Sequence, residues 1–314
     1  MLQKLSKLAK ALLFTVLLSV CIWGITIVLM PKIPDFYQEE EWDVVFFGSS
    51  QSYCTFDPAV FDEYGIKSYN RGRSQQPMNY TYYYVKDALD ACDIDVVVLE
   101  VFTIYYGEGD PRYTEAGVRD SSLNDMRYST IKMEAIWDCV PLTERWGYFF
   151  PLDKYHSNWE NLDYSSLAAF KDSLLNPYYT EESDRGYFRW SGSQPAWYPE
   201  EKYINSTECI SFNEETMEYI EKIYEVCQEY DTELVLVKAP FPCNEVLIGE
   251  TNTLEAWADK NNIVMINYME LTDEIGLDFE KDSLDGGTHL NTDGAAKVSD
   301  HLAEYLYEAY FANK

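Results

Sequence analysis

Two short stretches at opposite ends of the chain carry residue types that could do acyl chemistry. The first runs from Asp43 to Pro58 and contains Gly48-Ser49-Ser50. Val44 to Phe47 is a short apolar run closed by a glycine, which reads as a buried strand of a parallel sheet. Ligands of open α/β sheets bind beyond the carboxyl ends of the strands, so the two serines stand where a nucleophile would be useful. A turn that merely caps a helix has the same composition. The second stretch is Asp285-Gly286-Gly287-Thr288-His289-Leu290-Asn291, followed by Gly294-Ala295. Of the 3 histidines, His156 lies in a polar irregular stretch and His301 inside the last helical pattern. Only His289 sits in an acidic, glycine-containing loop just before a helix start. An imidazole there can take a proton from a serine on a neighbouring strand end while a carboxylate holds its tautomer.

Taken together, the two stretches resemble the SGNH/GDSL family of serine hydrolases and acyltransferases. The resemblance covers roughly residues 43–102 and 233–310. It implies that Ser50 is the nucleophile and His289 the base, the latter from an Asp-x-x-His block before the last helix. The chain is more closely similar to the membrane-anchored branch that includes D-alanyl transfer and alginate O-acetylation proteins. In that branch an Asn-x-x-x-x-x-Gln-Pro loop follows, and Asn70 to Gln76-Pro77 fits it. Three features depart from the family pattern. Asp285 stands four residues before His289 rather than three, which leaves Asp282 as a second candidate acid. The Gly-x-Asn-Asp block that supplies an oxyanion-hole asparagine is replaced by Val98-Leu99-Glu100-Val101-Phe102. Gln51 follows the nucleophile where relatives often carry His or Glu.

With that asparagine missing, the candidate oxyanion donors are the N–H of Ser50, the N–H of Gly72 and the side-chain amide of Gln76 or Gln51. Arg71 and Arg73, next to Asn70, are conspicuous in an acidic chain. They are candidates for holding a substrate carboxylate or phosphate, or for pairing with local acids. Glu100, near a strand end, is a candidate for orienting Arg73 or a substrate hydroxyl, or for a simple ion pair. Cys54, four residues after Ser50, is a third-choice nucleophile with nothing nearby to lower its pKa.

The elements that must position these groups alternate as strand and helix. Strands are expected at 44–47, 66–69, 95–102, 233–238 and 263–266. Helices are expected at 50–62 with a turn at Asp57-Pro58, and at 78–91, 213–230, 252–260 and 293–311. The pattern predicts a three-layer α/β/α, flavodoxin-like domain of about five parallel strands. Between about 103 and 209 the alternation is lost among tyrosines, tryptophans and prolines. This reads as an insertion that caps the crevice, with helical pieces at 130–138 and 164–175. Trp146, Trp159, Trp190 and Trp197 are candidate sugar-stacking platforms or members of a satellite core.

Lys4, Lys7 and Lys10 precede the uncharged stretch Ala11–Met30, long enough to cross a bilayer as a helix. No small-x-small cleavage site follows it, and Val20 is too large for a lipoprotein signal ending at Cys21. A retained anchor is expected over 1–32, with the lysines cytoplasmic, a polar linker at 33–42 and the domain at 43–314 outside a bacterial-type plasma membrane. The chain carries 24 basic and 54 acidic residues. Residues 1–32 hold four of the lysines and no acid, leaving 20 basic against 54 acidic, a net charge of −34 for the remainder. Such a surface excludes nucleic acid as a partner. The 7 cysteines show no metal-ligand spacing, so no metal or cofactor is expected. The reading is a serine acyl-ester hydrolase or O-acyltransferase acting on an envelope polysaccharide, partnered by a membrane-bound O-acyltransferase. The alternative is a catalytically degenerate glycan-binding or scaffold protein.

Overall fold

The computed structural model describes residues 2–175, 179–180, 183–194 and 206–312. Its centre is a parallel sheet of five strands: β1 (Glu41–Phe47), β2 (Ser68–Asn70), β3 (Asp93–Glu100), β4 (Glu233–Lys238) and β5 (Val264–Asn267). Their spatial order is 2-1-3-4-5, with every neighbouring pair parallel. This is the flavodoxin-like order expected from the alternation, and its crevice lies beyond the carboxyl ends of β1 and β3.

Both sheet faces are buried, as continuous apolar strands require. Val45, Phe47, Val97, Leu99 and Leu236 face one core, and Val44, Phe46, Val98, Val235 and Val237 face the other. The first core is covered by α4 (Met78–Ala91), α10 (Glu214–Glu229) and α11 (Glu245–Lys260). The second is covered by α3 (Pro58–Glu63), which follows α2 (Ser50–Thr55), and by α12 (Thr292–Leu306). Asparagine caps three of these helices: Asn213 before α10, Asn244 before α11 and Asn291 before α12, each accepting a first-turn N–H. Helix α11 starts seven residues earlier than expected from sequence. Gly249 lies in its first half, where a Cβ would be 2.5 Å from Ile210 Cγ1. The glycine makes room for a passing chain rather than ending the helix.

The insertion contributes α5 (Ala116–Asn124), α6 (Thr130–Cys139), α7 (Arg145–Phe149), α8 (Pro151–Tyr155) and α9 (Leu167–Leu175). Residues 33–42, expected to be a free linker, are packed onto the domain. Phe36 is fully buried and its ring lies parallel to Trp42 at 5.6 Å, while Ile33–Pro34 pairs with Tyr179–Thr180. Burial of two large aromatic rings outweighs the extended bias of the prolines. Helix α1 (Leu2–Leu29) contains a span, Lys7–Thr26, long and apolar enough to cross a membrane.

Candidate active site

The nucleophile turn is built by steric exclusion. Gly48 has φ of 133°, and a Cβ there would lie 2.7 Å from the Glu100 carbonyl oxygen. Only glycine permits this approach of β1 to β3. The chain then turns into α2, with Ser49 as N-cap; its Oγ accepts from Gln51 N–H at 3.2 Å and donates to Glu100 Oε2 at 3.0 Å. Ser50 is thereby the first helical residue, and its own N–H has no intrahelical acceptor.

The histidine arrives on a loop held at its base by the antiparallel bridge of Ser283 with Leu290 and by Leu284 N–H on the His289 carbonyl (2.8 Å). Gly286 and Gly287 take φ of 87° and 106° at its tip. His289 Nε2 lies 2.7 Å from Ser50 Oγ, and Nδ1 lies 2.6 Å from Asp285 Oδ2. Asp285 also accepts from the His289 N–H at 2.8 Å, which fixes the carboxylate relative to the ring. With the proton on Nδ1, the serine hydroxyl donates to Nε2, the order of contacts that a nucleophile, a base and an orienting acid require.

Asp282 takes no part in this relay. Its carboxylate is buried and accepts from Asp278 N–H and Lys297 Nζ, each at 2.7 Å. The four-residue spacing works because Asp285 bends back over the glycine loop onto both the ring and the backbone of His289.

Most of the other expected site residues serve as scaffold. Asn70 is buried; its amide donates to the carbonyls of Ser52 and Phe56, and its Oδ1 accepts from Ser52 Oγ and from Gly72 N–H at 3.0 Å. The Gly72 N–H is therefore committed away from a substrate. Gly72 is needed for space, since a Cβ would lie 2.9 Å from the Ser49 carbonyl oxygen. Gln76 is buried against Ser122 and Thr81 and does not face Ser50. Gln51 ties α2 to the histidine loop through Nε2 on the Thr288 carbonyl at 2.5 Å. Gly72, Gln76 and Gln51 are thus engaged elsewhere, which leaves the Ser50 N–H as the candidate among the four expected oxyanion donors.

Arg71 is not a substrate ligand. It is fully buried with its guanidinium within 5.1 Å of the Phe36, Tyr37 and Tyr84 ring centroids and donates to Tyr37 Oη at 2.8 Å. Arg73 is ion-paired with Asp125 and donates to the Gly72 carbonyl. Glu100 is fully buried and reaches neither Arg73 nor solvent; beyond Ser49, it accepts from Phe102 N–H at 2.7 Å. Burial pushes its carboxyl up to about 7 and pushes the neighbouring buried Lys238 ammonium down. Cys54 is buried, and burial pushes its thiol up to about 12, so it offers no thiolate nucleophile.

The cleft over Ser50 and His289 encloses about 500 Å³. Three of its lining residues carry chemistry that sequence reasoning passes over: Tyr53, Ser74 and Arg112. Tyr53 lies one helical turn from Ser50 on the wall of the cleft, and burial raises its pKa, which keeps its hydroxyl protonated. Arg112 comes from the insertion, forked onto Asp110 and 3.5 Å above the Tyr106 ring. Thus part of the insertion does line the crevice. Trp146 and Trp159 lie instead beside α1, Trp190 is stacked on Phe188 next to α12, and Trp197 lies outside the described residues.

No protein-family model matches the chain, and no curated protein does. It is similar to solved structures over most of their lengths. A Bacteroides fragilis chain described as an acylhydrolase shares 11% identity, with 89% of this chain and 91% of that one covered, at a TM-score of 0.41. A GDSL-like lipase from Bacteroides thetaiotaomicron shares 13% identity over 87% and 90%, at 0.38. A Streptococcus pneumonia chain described as a platelet activating factor shares 16% over 96% and 99%, at 0.38. At these scores the likenesses carry no assignment of chemistry, which has to come from the site itself.

Two outcomes are expected. Asp285→Asn should lower kcat by several orders of magnitude, on the scale of other triad acids, whereas Asp282→Asn should alter thermal stability far more than kcat. Glu100, raised from 4.5 to about 7 in the folded chain, binds more protons folded than unfolded across that window. The stability of the wild type relative to Glu100→Gln should therefore fall by up to about 3 kcal/mol as pH rises from 4.5 to 7 and level off above it. Denaturant titrations of both proteins across this pH range measure the difference.

Proposed function

We propose that the chain is a membrane-anchored serine acyl-ester enzyme of the SGNH type, acting outside the cytoplasm on an envelope polysaccharide. The observation that carries the reading is the unbroken relay Ser50–His289–Asp285 in a cleft lined by both aromatic and polar side chains. Ser50 Oγ attacks the ester carbonyl as His289 Nε2 takes its proton. Negative charge on the tetrahedral intermediate falls toward the helix N-terminus, where the Ser50 N–H supplies a donor and the cleft-lining Tyr53 is the candidate for a second. The intermediate collapses, His289 returns the proton to the leaving alcohol, and the acyl group stays on Ser50. Water then completes hydrolysis, or a glycan hydroxyl completes transfer.

The span in α1 and the resemblance to the D-alanyl transfer and alginate acetylation branch support transfer, with acyl groups delivered by a membrane-bound O-acyltransferase. One observation favours the non-catalytic alternative: Gly72 and Gln76 are committed elsewhere, so the oxyanion site is thinly furnished.

The two readings separate in an assay of the full chain in detergent with an activated acetyl ester. Catalysis predicts steady release that Ser50→Ala lowers by about 10³-fold or more, and diversion of acetyl to added polysaccharide hydroxyls in the transferase case. Release equal in wild type and Ser50→Ala would leave only the binding reading.

A further inference from the structure

We propose that the insertion segment α7–α8 and the turn after it form a second membrane contact, a groove beside α1 that takes an acyl chain of an outer-leaflet phospholipid. The inference rests on reading α1 as a membrane span with its C-terminal end facing outward. The 20 residues of the span Lys7–Thr26 extend about 30 Å as a helix, which is the thickness of the hydrocarbon core. The groove is bounded by Ser19, Ile22, Trp23 and Thr26 in the last turns of that span and by Met30 just past the end of α1. Whatever packs sideways against those residues shares their depth.

What packs there is apolar and open. Ile22 and Trp23 form one wall, and Trp146, Phe149, Phe150 and Leu152 the other, around about 810 Å³. Trp146 and Phe150 are 64% and 51% exposed, with ring centroids 3.9 Å apart. On the other flank of α1, Ile25 and Leu29 face Trp159 and Leu162 across a second apolar groove. The insertion is fastened to the helix end, since Asn158 Nδ2 donates to the Leu29 carbonyl at 2.9 Å. Asp153 and His156 also line the first groove and give it polar groups beside the aromatic wall.

Exposed aromatic rings at the end of a membrane span are placed where Trp is most favoured, at the boundary of headgroups and chains. Continuity with the lipid-facing side of α1 identifies the occupant as hydrocarbon chain. The strongly acidic domain would repel anionic headgroups, so the contact is apolar rather than electrostatic.

The test uses the full chain in phosphatidylcholine vesicles, with and without lipid bearing a doxyl quencher high on the acyl chain. Tryptophan emission is compared for wild type, Trp23→Phe, Trp146→Phe and Trp159→Phe, with circular dichroism verifying each fold. The quenched part of the emission should fall in all three variants. If Trp23→Phe lowers it while Trp146→Phe and Trp159→Phe leave it unchanged, α1 spans the bilayer but the groove is out of the lipid or covered by protein, and the proposal is overturned. If Trp23→Phe also leaves it unchanged, α1 is not inserted and the anchor reading falls together with the groove.

Discussion

The site depends on one close approach, that of Gly48 to the backbone and side chain of Glu100. Any Cβ at Gly48 would overlap the Glu100 carbonyl oxygen and Cβ at under 3 Å. Because β1 and β3 can close there, Ser49 reaches the Glu100 carboxylate and caps α2, and Ser50 is delivered to the first position of the helix. The first N–H of that helix, without an acceptor of its own, becomes available to an oxyanion. A buried carboxyl below the turn is costly unless it is neutral or paired. The raised pKa of Glu100, beside Lys238, is the consequence of using it as scaffold.

The second half of the relay is held to the first by contacts that do no chemistry. Gln51 bonds the backbone at Thr288, one residue before the base. Ser299 in α12 donates to the Thr55 carbonyl and accepts from Asp57 N–H, stitching the last helix to the α2–α3 junction. Segment 187–194 adds bonds from Phe188 to Tyr53 and from Gln194 to Ser283. Residues separated by more than 200 positions are thus fixed relative to one another through short helices and backbone hydrogen bonds, which is what near-attack geometry requires.

Much of the scaffold is legible in the sequence because it rests on local rules. The apolar runs Val44–Phe47 and Val96–Leu99 have no polar alternation, and only a doubly covered parallel sheet accommodates that. The helix at 78–91 and the strand at 233–238 match their expected bounds. Ser50 and His289 are legible because the nucleophile turn and the pre-helix loop are local patterns. The misreadings concern residues whose role is decided by distant partners. Arg71 advertises a charge, but the cage of Phe36, Tyr37 and Tyr84 comes from two distant segments of the chain. Gly72 and Gln76 offer donors on paper, and only the fold reveals that Asn70, Ser122 and Thr81 engage them. The helix start at Ser50 is expected from the sequence, but that Tyr53 lines the cleft is visible only in the fold, where Ser74 and Arg112 from distant segments complete the same wall.

The central claim is that Ser50 is an activated nucleophile, and intact-mass analysis of the full chain after exposure to a fluorophosphonate tests it most directly. A single adduct is expected on the wild type, absent from Ser50→Ala and retained in Cys54→Ala. No adduct on the folded wild type, or an adduct that persists in Ser50→Ala, would contradict it.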